Sequence, residues 1–111
     1  MTALEADVTD CGKMKDAAEK ARAVLGRIDH VVFAVAIGSG KFGFPFWNLE
    51  PADWPRVLEV NVVGAVNVAH AFTPYFIQAR SGTLLFLASV AGQLGRHAHP
   101  PTAAVPASVR G

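Results

Sequence analysis

Along the chain, unbroken apolar runs alternate with stretches whose apolar residues recur at helical spacing. Residues 3–8, ALEADV, alternate weakly between apolar and polar positions, which predicts a short strand. Thr9 or Asp10 can cap a helix after it, because either side chain can accept from an orphan N–H. Met14, Ala17, Ala18, Ala21, Val24 and Leu25 then recur at helical spacing, with Gly26 placed to end the helix in a left-handed conformation. The run IDHVVFAVAI, residues 28–37, is rich in β-branched residues and reads as a second strand. Strand, helix and strand make a βαβ unit, whose two strands are parallel.

A loop over 38–50, GSGKFGFPFWNLE, leads to a long helix beginning near Pro51, a good first-turn residue. Leu49 and Trp54 occupy the positions of a hydrophobic staple. Leu58, Val62, Ala65, Ala69 and Phe72 run down one side of this helix, and Val57, Val60, Val68, Ala71 and Tyr75 down another. So wide an apolar surface predicts burial on more than one face. Pro74 should kink the helix near its end, and Ser81-Gly82 should close it. The stretch TLLFLASVAG, residues 83–92, has no polar alternation before Ser89 and predicts a strand buried on both faces. Ser89 falls at its C-terminal end, where open α/β sheets place ligands, although a closing serine can equally bond the turn backbone. Residues 93–111 are Pro/Ala-rich and predict an irregular tail.

Composition narrows the class. The 111 residues are 51% hydrophobic and 17% charged with net charge +1, which fits one globular domain and excludes a polyelectrolyte. Nothing in this charge points to nucleic acid or an anionic membrane surface. Charge is uneven, however: beyond Glu59 the only formal charges are Arg80, Arg96 and Arg110. A half-chain so poor in charge is normally covered, by more of its own fold or by a partner. Asn61, Asn67, His70 and Thr73 interrupt the richest apolar region, so no membrane span is expected. The acidic start MTALEADVTD lacks the features of a signal peptide, and the single Cys11 excludes an internal disulfide. A reducing, cytoplasmic setting is the expectation.

Several residues invite chemistry. Gly38, Gly40 and Gly43 spell G-x-G-x-x-G after a predicted strand, but Phe44-Pro45-Phe46-Trp47 follows where a helix must open. The P-loop pattern fails as well, since Val35 and Phe42 stand at required positions. A flexible, substrate-facing or structural loop is the expectation there. His97 and His99 lack nearby Cys or carboxylate residues and read as solvated, so no metal site is expected. Glu50, Asp53 and Glu59 read as charges favoured by the helix dipole. Asn61 within VNVVG is either a structural bracket between helix and sheet or part of a polar site, because a buried amide needs partners.

Taken together, DVTD (7–10), IDHVVFAVAI (28–37), W-x-R-V-L-E-V-N-V-V-G (54–64) and TLLFLASVAG (83–92) resemble the short-chain dehydrogenase/reductase family, most closely its 3-oxoacyl carrier-protein reductase-like group. The resemblance implies an α/β fold, a partial Rossmann-type doubly wound parallel sheet made of the family's strands 3, 4 and 5, over residues 1–111. It implies hydride transfer between NAD or NADP and a small carbonyl/alcohol substrate, in which the cofactor carries the reaction. Ser89 would hydrogen-bond that substrate, Asn61 would help hold the water of a proton relay, and Asp7 with the Val8 backbone would contact adenine. The long helix 51–80 would build an oligomer interface.

Departures from the family pattern temper this. The glycine-rich pyrophosphate turn belongs after a first strand that precedes these residues, and Phe33-Ala34-Val35-Ala36 replaces the family's Asn-Asn-Ala-Gly. The register of the family's Tyr-x-x-x-Lys pair lands on Thr102 and Pro106, which have neither an accessible acidic hydroxyl nor an ammonium. The expectation is a truncated or frame-shifted product of a reductase gene, inactive as it stands. DNA upstream of Met1 and around codon 102 that encodes neither feature in any frame would refute this. The alternative is a non-catalytic pseudoenzyme or interaction subunit pairing through helix 51–80. Failure to fold stably is the third outcome, which the absence of a cooperative melt in far-UV circular dichroism would reveal.

Overall fold

Helix α1, Cys11–Leu25, begins because Asp10 takes the capping position: its Oδ1 accepts from the Lys13 N–H at 3.1 Å. Such a cap contributes about 1 kcal/mol, and it decides between Thr9 and Asp10. The helix ends where Gly26 turns to φ 75° and its N–H donates to the Arg22 carbonyl at 2.9 Å. Met14 and Ala18 on its inner face are buried, while Val24 and Leu25 at its end remain exposed. The computed structural model that shows this describes residues 1–41 and 46–89, without the Phe46 side chain. The expected tail 93–111, the histidines at 97 and 99, and positions 102 and 106 lie outside the described residues.

Strands β1, His30–Phe33, and β2, Thr83–Phe86, pair in parallel in the register His30 with Thr83 through Phe33 with Phe86. Bonds from the Thr83 N–H to the Asp29 carbonyl and from the Leu87 N–H to the Phe33 carbonyl extend the pairing at both ends. The expected strands 28–37 and 83–89 are therefore present but shorter. Val31, Phe33, Leu84 and Phe86 lie on the better-covered face, and the Phe33 and Phe86 rings sit 6.0 Å apart, a contact of roughly 1 kcal/mol. Val32 and Leu85 point the other way and are more than half exposed. Burial on both faces, expected for 83–89, is thus corrected: among the described residues, helices cover one face.

Residues 3–8 form no strand. A strand needs a neighbour for its backbone N–H and C=O groups, and none lies beside this segment among the described residues. The expected βαβ unit is therefore displaced along the chain. Its two parallel strands are β1 and β2, and its crossover is the long helix.

That helix, α2, spans Pro51–Ala79. It opens with a 3₁₀ turn, Pro51–Asp53, behind a reciprocal capping box between Glu50 and Asp53, with Pro51 at a tolerated first-turn position. Leu49 is buried and Trp54 half-buried, at the staple positions. Val57, Val60, Val68 and Ala71 on one predicted side are buried, whereas the other side is mostly half-covered. Ala65, Val68 and Ala71 pack with Met14 and Ala18 of α1 and Phe33 of β1 into the core, and Val8, Val31, Phe72, Tyr75 and Phe86 close around it. The helix runs on through Pro74 to Ala79. By length and composition α2 could cross a bilayer, but it spends one face on this core.

Arg80, not Ser81 or Gly82, ends α2. Its φ of 52° is left-handed, and the Ser81 N–H donates back to the Phe76 carbonyl at 3.1 Å. Gly82 serves a different purpose, because a Cβ there would overlap the ring and Cβ of Phe76. Gly82→Ala should therefore cost about 1–3 kcal/mol, read as a lower midpoint in chemical denaturation. An unchanged midpoint would show that Phe76 can move aside freely.

Candidate functional site

The site begins with an irregular turn in α2. Between Glu59 and Val63 the helix widens to a π turn, in which the Gly64 N–H donates to the Glu59 carbonyl five residues back. Such turns are rare and concentrate at functional sites. At the centre of this one stands Asn61, which is 2% exposed. Its Oδ1 accepts from the Ile37 N–H at 2.8 Å, and its Nδ2 donates to the Ile37 carbonyl at 2.8 Å. The buried amide is thus a bracket between the helix and the chain leaving β1. Its oxygen and nitrogen are both committed to Ile37, and neither bond goes to Ser89.

One step along the same helix stands a second bracket that sequence reasoning missed. Asn67 Nδ2 donates to the Val8 carbonyl at 2.8 Å, across 59 residues of sequence. Val8 also lies directly over Gly64, where a Cβ would come within 2.8 Å of its Cγ2. The only available signal was a second asparagine in a valine-rich helix, and periodicity cannot say which backbone an amide will find.

Asp7 precedes this anchor. Its Oδ1 accepts from the Thr9 N–H at 2.9 Å and from the Thr9 hydroxyl at 2.8 Å. The Thr9 N–H foremost, then the hydroxyl, holds the carboxyl below its ordinary value of 3.8, with smaller help from Arg56 and Lys13. Both bonds fall on Oδ1, which leaves Oδ2 for a donor from outside. Asp7 and Val8 form one wall of a cleft of about 660 Å³ whose other walls are Val35, Ile37 and Val60, with Glu5, Lys13 and Arg56 also lining it. The size suits a small-molecule site, and the apolar walls beside the Asp7 carboxylate suit a flat ring bearing an amino group.

The sheet places Ser89 beyond the C-terminal end of β2, half-buried. It does not line the Asp7–Val8 cleft. The chain's only tyrosine, Tyr75, is near the other end of α2. Its ring lies 5.9 Å from the Arg22 guanidinium, and it lines a cavity with Ile28, which precedes β1. Because β1 and β2 are parallel, Tyr75 and Ser89 stand at opposite ends of the sheet, roughly 13 Å of strand apart.

Of the glycine-rich stretch, residues 38–41 are irregular, residues 42–45 lie outside the described residues, and the next described element is a single 3₁₀ turn, Phe46–Asn48. Lys41 reaches the start of α2, its Nζ 2.7 Å from Asp53 Oδ2 and 3.3 Å from the Asn48 carbonyl. Asp53 accepts from the Glu50 N–H as well, so it both caps the helix and holds the Lys41 side chain. The bond from Lys41, then that from Glu50, lowers its carboxyl from the ordinary 3.8, while the Lys41 ammonium is raised. Glu59 pairs at 3.3 Å with exposed Arg56. No group of metal-ligating side chains forms among the described residues.

Two measurements test these brackets. A carboxyl whose folded pKa is depressed contributes stability above its unfolded pKa, and that stability is lost as pH falls through the folded value. Asp53→Asn should therefore remove part of the stability loss seen on acidification below about pH 3.8, leaving the part due to Asp7. Asn61→Asp should behave in the opposite sense. Protonated, the new side chain can both accept from the Ile37 N–H and donate to its carbonyl; ionised, it cannot donate, so folding raises its pKa. Its penalty should be absent below the unfolded value of about 3.9 and grow as pH rises until the folded pKa is passed. Asn61→Leu, which orphans both backbone groups, should cost about 2 kcal/mol or more at every pH. Parallel pH profiles for the two variants would argue against the bracket.

Comparison with known proteins agrees with the fold. The family model for short chain dehydrogenase matches residues 1–110. Over 105 residues the chain is 32% identical to a 3-oxoacyl-acyl-carrier-protein reductase of Thermotoga maritima, covering 95% of this chain and 42% of the relative. It is 34% identical over 97 residues to a galactitol 2-dehydrogenase of Rhizobium johnstonii, covering 87% of this chain and 37% of the relative. A gluconate 5-dehydrogenase from Burkholderia cenocepacia, solved with NADP and tartrate, superimposes with a TM-score of 0.82 at 31% identity over 94% of this chain and 40% of its own. The chain thus spans about two fifths of the length of these relatives.

Proposed function

The chain belongs to the short-chain dehydrogenase family, and from that premise we propose that these residues form the adenosine-binding and serine-bearing part of an NAD- or NADP-dependent oxidoreductase acting on a carbonyl/alcohol pair. The observation that carries this reading is the cleft between Asp7–Val8 and Val35–Ile37. Ionised Asp7 would accept from the adenine amino group through Oδ2, and Val8, Val35, Ile37 and Val60 would flank the ring. Asn61 would hold the Ile37 wall in place. Ser89, at the C-terminal end of β2, would hydrogen-bond the substrate oxygen. When bound, the nicotinamide supplies or accepts the hydride.

The residues present fit the adenosine end of such a cofactor better than its pyrophosphate. Gly38–Lys41, the described part of the glycine-rich stretch, is not helical, and helix N-termini with free N–H groups are what hold a pyrophosphate in this architecture. Proton transfer is the second gap. Tyr75 stands at the far end of the sheet from Ser89, and the chain's lysines are at 13, 15, 20 and 41, none after the serine. This polypeptide on its own would therefore hold a nucleotide without completing the reaction.

Titration of the 111-residue chain with ADP and with NADPH, followed by fluorescence and calorimetry, tests the reading. Both should bind with similar affinity, since the shared adenosine end makes the contacts. Asp7→Ala should weaken both about tenfold, the equivalent of one charge-assisted hydrogen bond. No NADPH should be oxidised by carbonyl substrates. Absence of ADP binding at millimolar concentration sinks the nucleotide assignment, and steady NADPH oxidation sinks the claim of incompleteness.

A further inference from the structure

The two walls of the nucleotide cleft have one thing in common: each is held through its backbone by an asparagine of the same helix. Asn61 grips both backbone groups of Ile37 at 2.8 Å, and Asn67 grips the Val8 carbonyl at 2.8 Å. Between them Gly64 is buried, and Val8 packs where its side chain would be. Ile37 and Val8 both line the cleft. The segment carrying Val8 has no strand pairing of its own, and residues 1–7 are all exposed. Besides the packing of Val8 on the core and the bond of 3.1 Å from the Asp10 N–H to the Asp7 carbonyl, what ties the Asp7 wall to α2 is the contact of Val8 with Gly64 and the hydrogen bond from Asn67.

From this arrangement, which rests on the nucleotide reading above, we infer that Asn67 is a positioning residue for the cleft: through the Val8 carbonyl it sets where the Asp7 carboxylate stands relative to the Ile37 wall. The strip Asn61-x-x-Gly64-x-x-Asn67 then acts as a jig on α2. One asparagine fixes each wall, and the glycine lets the nearer wall approach the helix. The π turn between Glu59 and Val63 overlaps the start of this strip at Asn61, so the register of the helix and the width of the cleft are coupled. Asn67 touches neither the ring nor the reacting atoms. Its effect passes wholly through the backbone of Val8.

Asn67→Leu keeps a similar volume but removes the donor. In the isotope-labelled 111-residue chain, the amide resonances of Glu5–Asp10 should shift or broaden while those of Val31–Phe33 stay in place. ADP affinity should fall about tenfold, and Asn67→Gln, which retains a donor, should recover part of it. Equal displacement of the β1 resonances, or none in Glu5–Asp10, overturns the inference. So does a loss of affinity that Asn67→Gln and Asn67→Leu share equally. Should Asn67→Leu fail to fold, Gly64→Ala reads the same wall, since its Cβ displaces Val8 with Asn67 intact. Undisturbed Glu5–Asp10 resonances in that variant overturn the inference as well. If the unaltered chain binds no ADP, the nucleotide reading fails, while the resonances alone still decide whether Asn67 positions the segment.

Discussion

The structure depends on the packing of one face of helix α2 against everything else. Ala65, Val68 and Ala71 give it a surface of small side chains, on which α1 settles through Met14 and Ala18 and the sheet through Phe33. A two-stranded parallel sheet is marginal alone, since four-residue strands offer few ladder bonds and bury little. A parallel pair also needs a crossover of a dozen residues or more. Here one element is both the crossover and the main source of apolar burial. Loss of its inner face would therefore remove the connection and the core together.

The same helix carries the polar features of the site. An asparagine inside a valine-rich helix is unfavourable by propensity, and a buried one costs more unless both ends of its amide are paired. Asn61 meets that demand with the backbone of Ile37, and it does so from within the π turn of α2. Burial of the helix thus creates the demand, and meeting it fixes the chain beyond β1. Asn67 repeats the arrangement for a segment that has no sheet to hold it. Packing and site geometry are in this sense one set of contacts, seen from the apolar and the polar side.

Much of this was legible beforehand. The stripe from Met14 to Leu25, the glycine after it, the proline opening α2 and the runs around β1 and β2 each follow local rules of spacing and capping. The family pattern singled out Asp7, Asn61 and Ser89 as candidates. What failed was whatever depended on neighbours. Residues 3–8 have the alternation of a strand without a ladder partner, and Leu85 has the hydrophobicity of a doubly covered strand with one side bare. Gly82 looked like a helix stop, yet the stop is left-handed Arg80, and the glycine makes room for Phe76.

By itself, then, the sequence determined α1, the long helix, the cores of β1 and β2, their order and the family, because periodicity, capping and motif spacing are properties of residues close together in the chain. It determined as well that the only tyrosine precedes the serine and that no lysine follows it. Tertiary structure alone decided which backbone each asparagine grips, that Val8 and Ile37 become facing walls of one cleft, and that Tyr75 and Ser89 stand at opposite ends of the sheet. The reason is range. A hydrogen bond between Asn67 and Val8 spans 59 positions, and no local pattern encodes a partner that only the packing of α2 brings within reach.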